Sequence, residues 1–253
     1  MHSPALAVRR IGTRDIKDAL AKGFDDFGAC RTDVVFLCVF YPVMGLVLAR
    51  LMFSNDALPL LFPLASGFAI VGPFAALGLY EMSRRREQGL PVAWTNAFDV
   101  VRAPAFGAIA VLGLMLVAIF LLWLFVAWSI YSVTLGPALP VSPAAFIQDV
   151  FTTGAGWTMI GVGIGAGFLF ALLAMTISIV SFPLLLDRDV GLDTAIGTSI
   201  RAVFANPAPM AVWGLVVAGA LVLGSIPLFL GLVVVMPVLG HATWHLYRRL
   251  VPR

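Results

Sequence analysis

An all-α, polytopic membrane protein is the fold class this sequence predicts, and three observations predict it. Of 253 residues, 61% are hydrophobic and only 11% charged, whereas a soluble domain has roughly 25% charged residues. The apolar residues fall in blocks close to the ~20 residues a helix needs to cross the hydrocarbon core. Lys and Arg are confined to alternate segments between those blocks, as retention of basic loops in the cytoplasm dictates.

Six transmembrane helices follow in order: Val34 to Met52, Leu58 to Tyr80, Phe106 to Tyr131, Trp157 to Leu186, Met210 to Leu223 and Leu228 to His245. The last two are separated at Gly224, Ser225 and Pro227, because Pro lacks an N–H and its ring clashes with the preceding turn. The basic residues from Arg9 to Arg31, from Arg84 to Arg102, Arg188, Arg201 and those from Arg248 onward all fall on one side. Arg50, at the end of the first span, can snorkel to the opposite headgroups. Both termini are then cytoplasmic. A cleavable signal is not expected, since the basic region runs to Arg31 and leads into a full-length span. Tyr80, Trp94, Trp244 and Tyr247 are placed at the inner boundary and Trp128, Tyr131 and Trp157 at the outer one, as aromatic belts. Trp123 and Trp213 read as core. Cys30 and Cys38 read as packing residues.

One pattern recurs before spans one, three and five. Ile16, Ala19, Leu20, Gly23, Phe24 and Phe27 follow the spacing i, i+3, i+4, i+7, i+8, i+11. Leu90, Ala93, Trp94, Ala97, Phe98 and Val101 repeat it, as do Leu192, Ala195, Ile196, Ser199, Ile200 and Val203. That spacing makes one helix face apolar and leaves the other to water, where the first segment carries Asp15, Asp18, Lys22, Asp25 and Asp26. The chain therefore reads as one integral membrane domain, 1–253, of three units near 14–80, 89–186 and 191–248. Each unit is an amphipathic helix plus a membrane hairpin. The amphipathic helices either lie in the lipid interface or close the inner end of the bundle.

The fourth span contains Gly161-Val162-Gly163-Ile164-Gly165-Ala166-Gly167, with small residues four apart as close helix packing in lipid requires. Packing within the chain is the reading preferred to a dimer seam. A dinucleotide fingerprint needs different spacing between a strand and a helix, so nucleotide binding is rejected. Pro63, Pro73, Pro183, Pro227 and Pro237 mark bends in the returning helices.

The interior carries almost no chemistry. No acidic residue falls at mid-bilayer, whereas proton relays and ion-coupled carriers need ionisable groups there. No paired nucleophile and base is visible. The one constellation with metal-ligand spacing is His241 and His245, four apart on one helical face, with Glu81 or Asp187 as the third ligand. The alternative places both in an interfacial belt with Trp244, Tyr247, Arg248 and Arg249. No cofactor is expected.

The stretch Ser181-Phe182-Pro183-Leu184-Leu185-Leu186-Asp187-Arg188-Asp189-Val190-Gly191 is followed by Ala195, by Ser199 to Arg201 and by Ala205-Asn206-Pro207. With the closing run from Pro237 to Arg249, it resembles a domain-of-unknown-function family of predicted integral membrane proteins from alphaproteobacteria. The resemblance implies an inner-membrane location and no established activity. Some members carry a cytochrome c oxidase subunit I label, but haem and copper sites need several His ligands, and this chain has three His in all. Expected partners are the lipid bilayer and other inner-membrane proteins, with nothing pointing to nucleic acid. Three functions remain open: an accessory or assembly component of a membrane complex, which is preferred; a carrier or exporter of a lipophilic or uncharged solute; and an interfacial enzyme built on His245, Glu81 and Asp187.

Overall fold

The computed structural model describes residues 6–38, 59–138, 140 and 142–252, with positions 43, 46 and 50 isolated between them. The first expected span lies outside the described residues beyond Cys38. The described elements are helical: α1 (Thr13–Cys38), α2 (Leu61–Ala75), α3 (Leu77–Glu87), a 3₁₀ helix (Trp94–Arg102), α4 (Phe106–Thr134), α5 (Pro143–Thr152), α6 (Gly154–Ser178), α7 (Ser181–Asp187), α8 (Leu192–Ala205), α9 (Pro207–Ser225) and α10 (Leu232–Leu250).

Four helical stretches are long and apolar enough to cross a membrane: Phe62–Glu87, Phe106–Thr134, Gly154–Asp187 and Pro207–Ser225. They correspond to the second to fifth expected spans. Two carry breaks whose cause is proline. Pro73 has no N–H for the Ala69 carbonyl, and the helix is interrupted at Ala76, between α2 and α3. Pro183 sits in the first turn of α7, where a missing N–H costs least, just past the break at Ile179 and Val180. The sixth expected span corresponds to α10, which begins later and is not among those four. The turn before it falls where Gly224, Ser225 and Pro227 place it. It is made by Leu228 and Phe229, both with positive φ (52° and 64°), and by Gly231, where a Cβ would lie 2.7 Å from the Gly224 Cα.

α4 shows how lipid and core faces divide. Ile109, Leu112, Leu116 and Trp123 are buried, while Leu114, Leu121 and Phe125 are exposed. An indole in an apolar core needs an acceptor. Trp123 Nε1 donates to the Pro63 carbonyl at 2.9 Å, and the ring packs on Phe170 with centroids 5.6 Å apart. Trp123 thus fastens α4 to α2 and α6, and Trp213 is likewise core.

The three amphipathic segments are all helical, yet they are used differently. In α1 the buried stripe is Ile16, Ala19, Gly23, Asp26 and Cys30, while Phe24 is 57% exposed. The stripe is therefore rotated from the expected one, and Asp26, expected in water, is inside. In α8, Ala195, Ser199 and Val203 are buried as expected. The middle segment is a 3₁₀ helix whose Trp94, Phe98 and Val101 face outward. Two segments close one end of the bundle, and the third lines its surface.

That end carries the polar core. α1 and α10 form the most extensive helix pair among the described residues, and small residues permit it. A Cβ on Gly23 would lie 2.7 Å from the Val238 carbonyl oxygen and 2.8 Å from Ala242 N. The N-terminal segment is clamped alongside. Buried Asn206 accepts from Ile11 N at 2.7 Å and donates to the Arg9 carbonyl at 3.1 Å, while Arg9 N donates to the Leu250 carbonyl.

Candidate functional site: a buried polar network

Three helices bring ionisable groups to the closed end. α1 contributes Asp26; α3 contributes Ser83 and Arg86, three residues apart on one face; α10 contributes His241 and His245, four apart on one face. Both spacings put side chains above one another on a helix. Asp26, Ser83 and His241 are 5%, 1% and 0% exposed, so their hydrogen bonds form without competition from water.

Asp26 is the hub. Its Oδ2 accepts from Ser83 Oγ at 2.6 Å and pairs with His245 Nε2 at 2.8 Å, and its Oδ1 accepts from Arg86 at 2.5 Å. Burial alone pushes this carboxyl up. The bonds from His245 and Ser83, with the His245 charge, outweigh it and hold the group below its ordinary 3.8. Asp26 is thus an ionised acceptor, which fixes the protons around it. Ser83 has one hydroxyl proton, and the carboxylate takes it. Ser83 Oγ lies 2.7 Å from His241 Nδ1, so it must accept there, and Nδ1 carries the ring proton. His241 Nε2 is buried near the Leu79 backbone, without a hydrogen bond of ordinary geometry among the described residues.

A second network shares α3 and α10. Arg248 donates to Glu87 at 3.1 Å and to Asp187 at 2.9 Å, and its guanidinium lies 5.7 Å from the Trp244 ring centroid and 5.9 Å from that of Tyr247. Trp244 Nε1 donates to Glu87 and Tyr247 OH to Asp187, at 3.1 and 2.7 Å. Burial, then the neighbouring Asp187 charge, push the Tyr247 phenol well above its ordinary value. Tyr80, Trp244 and Tyr247 are at most 2% exposed. This corrects their expected place in an interfacial belt, and the Trp244 and Tyr247 rings run from an apolar core to a polar partner. Among the four residues of that expected inner belt, Trp94 alone is substantially exposed, at 40%.

The structure brings His241 and His245 together as their spacing requires, but around Asp26. Glu81 is held by Arg84 at 2.7 and 2.9 Å, and Asp187 belongs to the Arg248 network. His245, Glu81 and Asp187 therefore have separate partners. Among the described residues no group of three or more His, Cys, Asp and Glu side chains is arranged to hold a metal ion. Sequence reasoning missed Ser83 and misplaced Asp26. The signal for Asp26 was its register, three residues after Gly23 and four before Cys30, on the stripe begun by Ile16 and Ala19.

On the fourth-span glycines, nothing among the described residues lies within 4 Å of a Cβ placed at Gly161, Gly163 or Gly165; only Gly167 meets Trp123, at 3.2 Å. The described part of the chain does not use the Gly161/Gly165 face for its own packing.

Compared with known proteins, residues 60–187 match a family model described as a predicted integral membrane protein (DUF2189). No curated protein and no solved structure matches.

Proposed function

Because the chain belongs to the DUF2189 family of predicted integral membrane proteins, it acts from within a bilayer, and we propose that it is a non-catalytic accessory or assembly component of a bacterial inner-membrane complex. In this reading six spans cross the membrane, both termini are cytoplasmic, and the polar end with its three amphipathic helices faces the cytoplasm.

The observation that carries this reading is the pairing of the carboxylates at the polar end, of which Asp26 and Glu81 are buried. Asp26, Glu81, Glu87 and Asp187 are each bonded to an Arg, His, Ser, Trp or Tyr donor. A general base or nucleophile needs a lone pair aimed at substrate, and these are spent on joining helices. The Gly161/Gly165 face supports the same reading, because small residues four apart let another helix approach closely. In this view His245 fastens α10 to α1, and His241 fastens it to α3 through Ser83.

The test is purification of tagged protein from native membranes in mild detergent, beside a Gly161→Leu/Gly165→Leu variant. The same inner-membrane proteins at constant stoichiometry, lost in the variant, are expected. A monodisperse monomer with no constant companion, identical in both, refutes the proposal.

A further inference from the structure

The link between Phe62–Glu87 and Phe106–Thr134 has to lie at one membrane face, because an apolar span begins on either side of it. α3 ends there in a left-handed Gly89 (φ 70°). Leu90 N–H donates to the Arg85 carbonyl and Gly89 N–H to the Arg86 carbonyl, a motif that stops a helix sharply. The 3₁₀ helix beyond it turns Trp94, Phe98 and Val101 outward, Phe98 and Val101 being 60% and 61% exposed. An apolar stripe at headgroup depth is covered by acyl chains, and an indole favours that depth.

Against this helix runs a groove of about 600 Å³ lined by Arg85, Asn96, Phe98, Asp99, Val101 and Arg102. It joins a cationic wall to an apolar one. Arg85 and Arg102 approach Asp99 from two sides, each at 3.4 Å, whereas a committed charge-assisted bond closes to about 2.7–2.9 Å. Asp99 takes its short bond from Asn96 Nδ2, at 2.8 Å. Arg85 also donates to the Pro91 carbonyl at 3.2 Å and stands 4.0 Å from Glu81, while Arg102, with its side chain 87% exposed, keeps most of its donors. We propose that this groove seats the phosphodiester of an anionic phospholipid. Arg85 and Arg102 hold the phosphate oxygens, as planar donor forks do, and the acyl chains run along Phe98 and Val101. The inference does not depend on the accessory role: a carrier or an enzyme with this link would bind the same lipid.

The experiment uses delipidated full-length protein in a neutral detergent, titrated with phosphatidylglycerol or phosphatidylcholine while thermal unfolding and lipid adducts in native mass spectra are followed. Phosphatidylglycerol should raise the midpoint and form a discrete adduct, and phosphatidylcholine, whose choline offsets the phosphate charge, should do both more weakly. Arg102→Gln alters a side chain that is 87% exposed and should weaken that adduct about five-fold, as expected for one cation near an anionic headgroup. Arg85→Gln/Arg102→Gln should abolish the preference, while an Arg10→Gln control should retain it. Equal response to both lipids, or a preference unchanged in the double variant, overturns the proposal. So does an equal stabilisation by inorganic phosphate alone, which would make the groove a site for free anions.

Discussion

Asp26→Ala removes the hub of the buried network, and its cost can be built from the partners left behind. Arg86 has a side chain 39% exposed, so it turns to water and contributes little. Ser83, at 1% exposure, loses the acceptor for its hydroxyl proton, and His245, with a side chain 14% exposed, loses its anion. A stranded buried donor costs about 1–3 kcal/mol, and two of them sum to about 3 kcal/mol, at the low end of what breaking a buried ionic contact costs. For a chain of this size that is a fall of about 6–12 °C in unfolding midpoint. Differential scanning fluorimetry in detergent reads it, with Asp25→Ala, one residue away on the exposed side, as the control. Ser83→Ala, combined with Asp26→Ala in a double-mutant cycle, should couple by more than about 0.5 kcal/mol, as groups in one network do. A shift below ~2 °C for Asp26→Ala, or one matched by Asp25→Ala, refutes the assignment of Asp26 as the hub, since it would fall below about 1 kcal/mol.

Further outcomes follow from the same geometry. Because the folded Asp26 carboxyl titrates below its ordinary 3.8, its contribution is complete above that value and is lost as pH falls through the folded one; Asp26→Asn should therefore flatten the acid limb of the stability profile, and a limb as steep as wild type would contradict it. Arg248→Met takes the fork away from Glu87 and Asp187, which keep Trp244 and Tyr247 as donors, and should cost about 1.5 kcal/mol, with little rescue by Arg248→Lys, because one ammonium cannot reproduce a fork across two carboxylates and two rings; equal midpoints for Lys and wild type would show that the fork is unused. Phe229→Gly relieves a left-handed backbone worth roughly 1 kcal/mol and should leave the unfolding midpoint unchanged or slightly raised, whereas a marked fall would mean that the ring anchors the turn.

The membrane helices were legible in the sequence because lipid imposes a length and a polarity on them that few substitutions disguise. Pro73 and Pro183 signalled the interruptions, and Gly224 with Pro227 the last turn. The polar end was less legible. Asp26, Ser83, Trp244 and Tyr247 are residue types that ordinarily meet water or an interface, and only their partners make burial affordable. Those partners lie far along the chain, as with Asp26 and His245, 219 residues apart. Periodicity locates a face but does not say which distant helix will cover it, and so Phe24 was placed inside and Asp26 outside. The spacing of His241 and His245 revealed their shared face, whereas their shared acceptor was visible only in three dimensions.

The pairing of α1 with α10 imposes an order on biogenesis. The Asp26 carboxylate of α1 meets Ser83 and Arg86 within 60 residues, but His245 is synthesised only 219 residues later. During that interval the Gly23 stripe lacks its α10 cover, and loop closure over so long a separation comes late and slowly. A chain arrested after α9 should leave residues 13–38 open to protease, while the full chain protects them. The end of the molecule that is stapled most tightly is thus the one assembled last, and an interrupted C-terminus unmakes the beginning of the chain rather than its end.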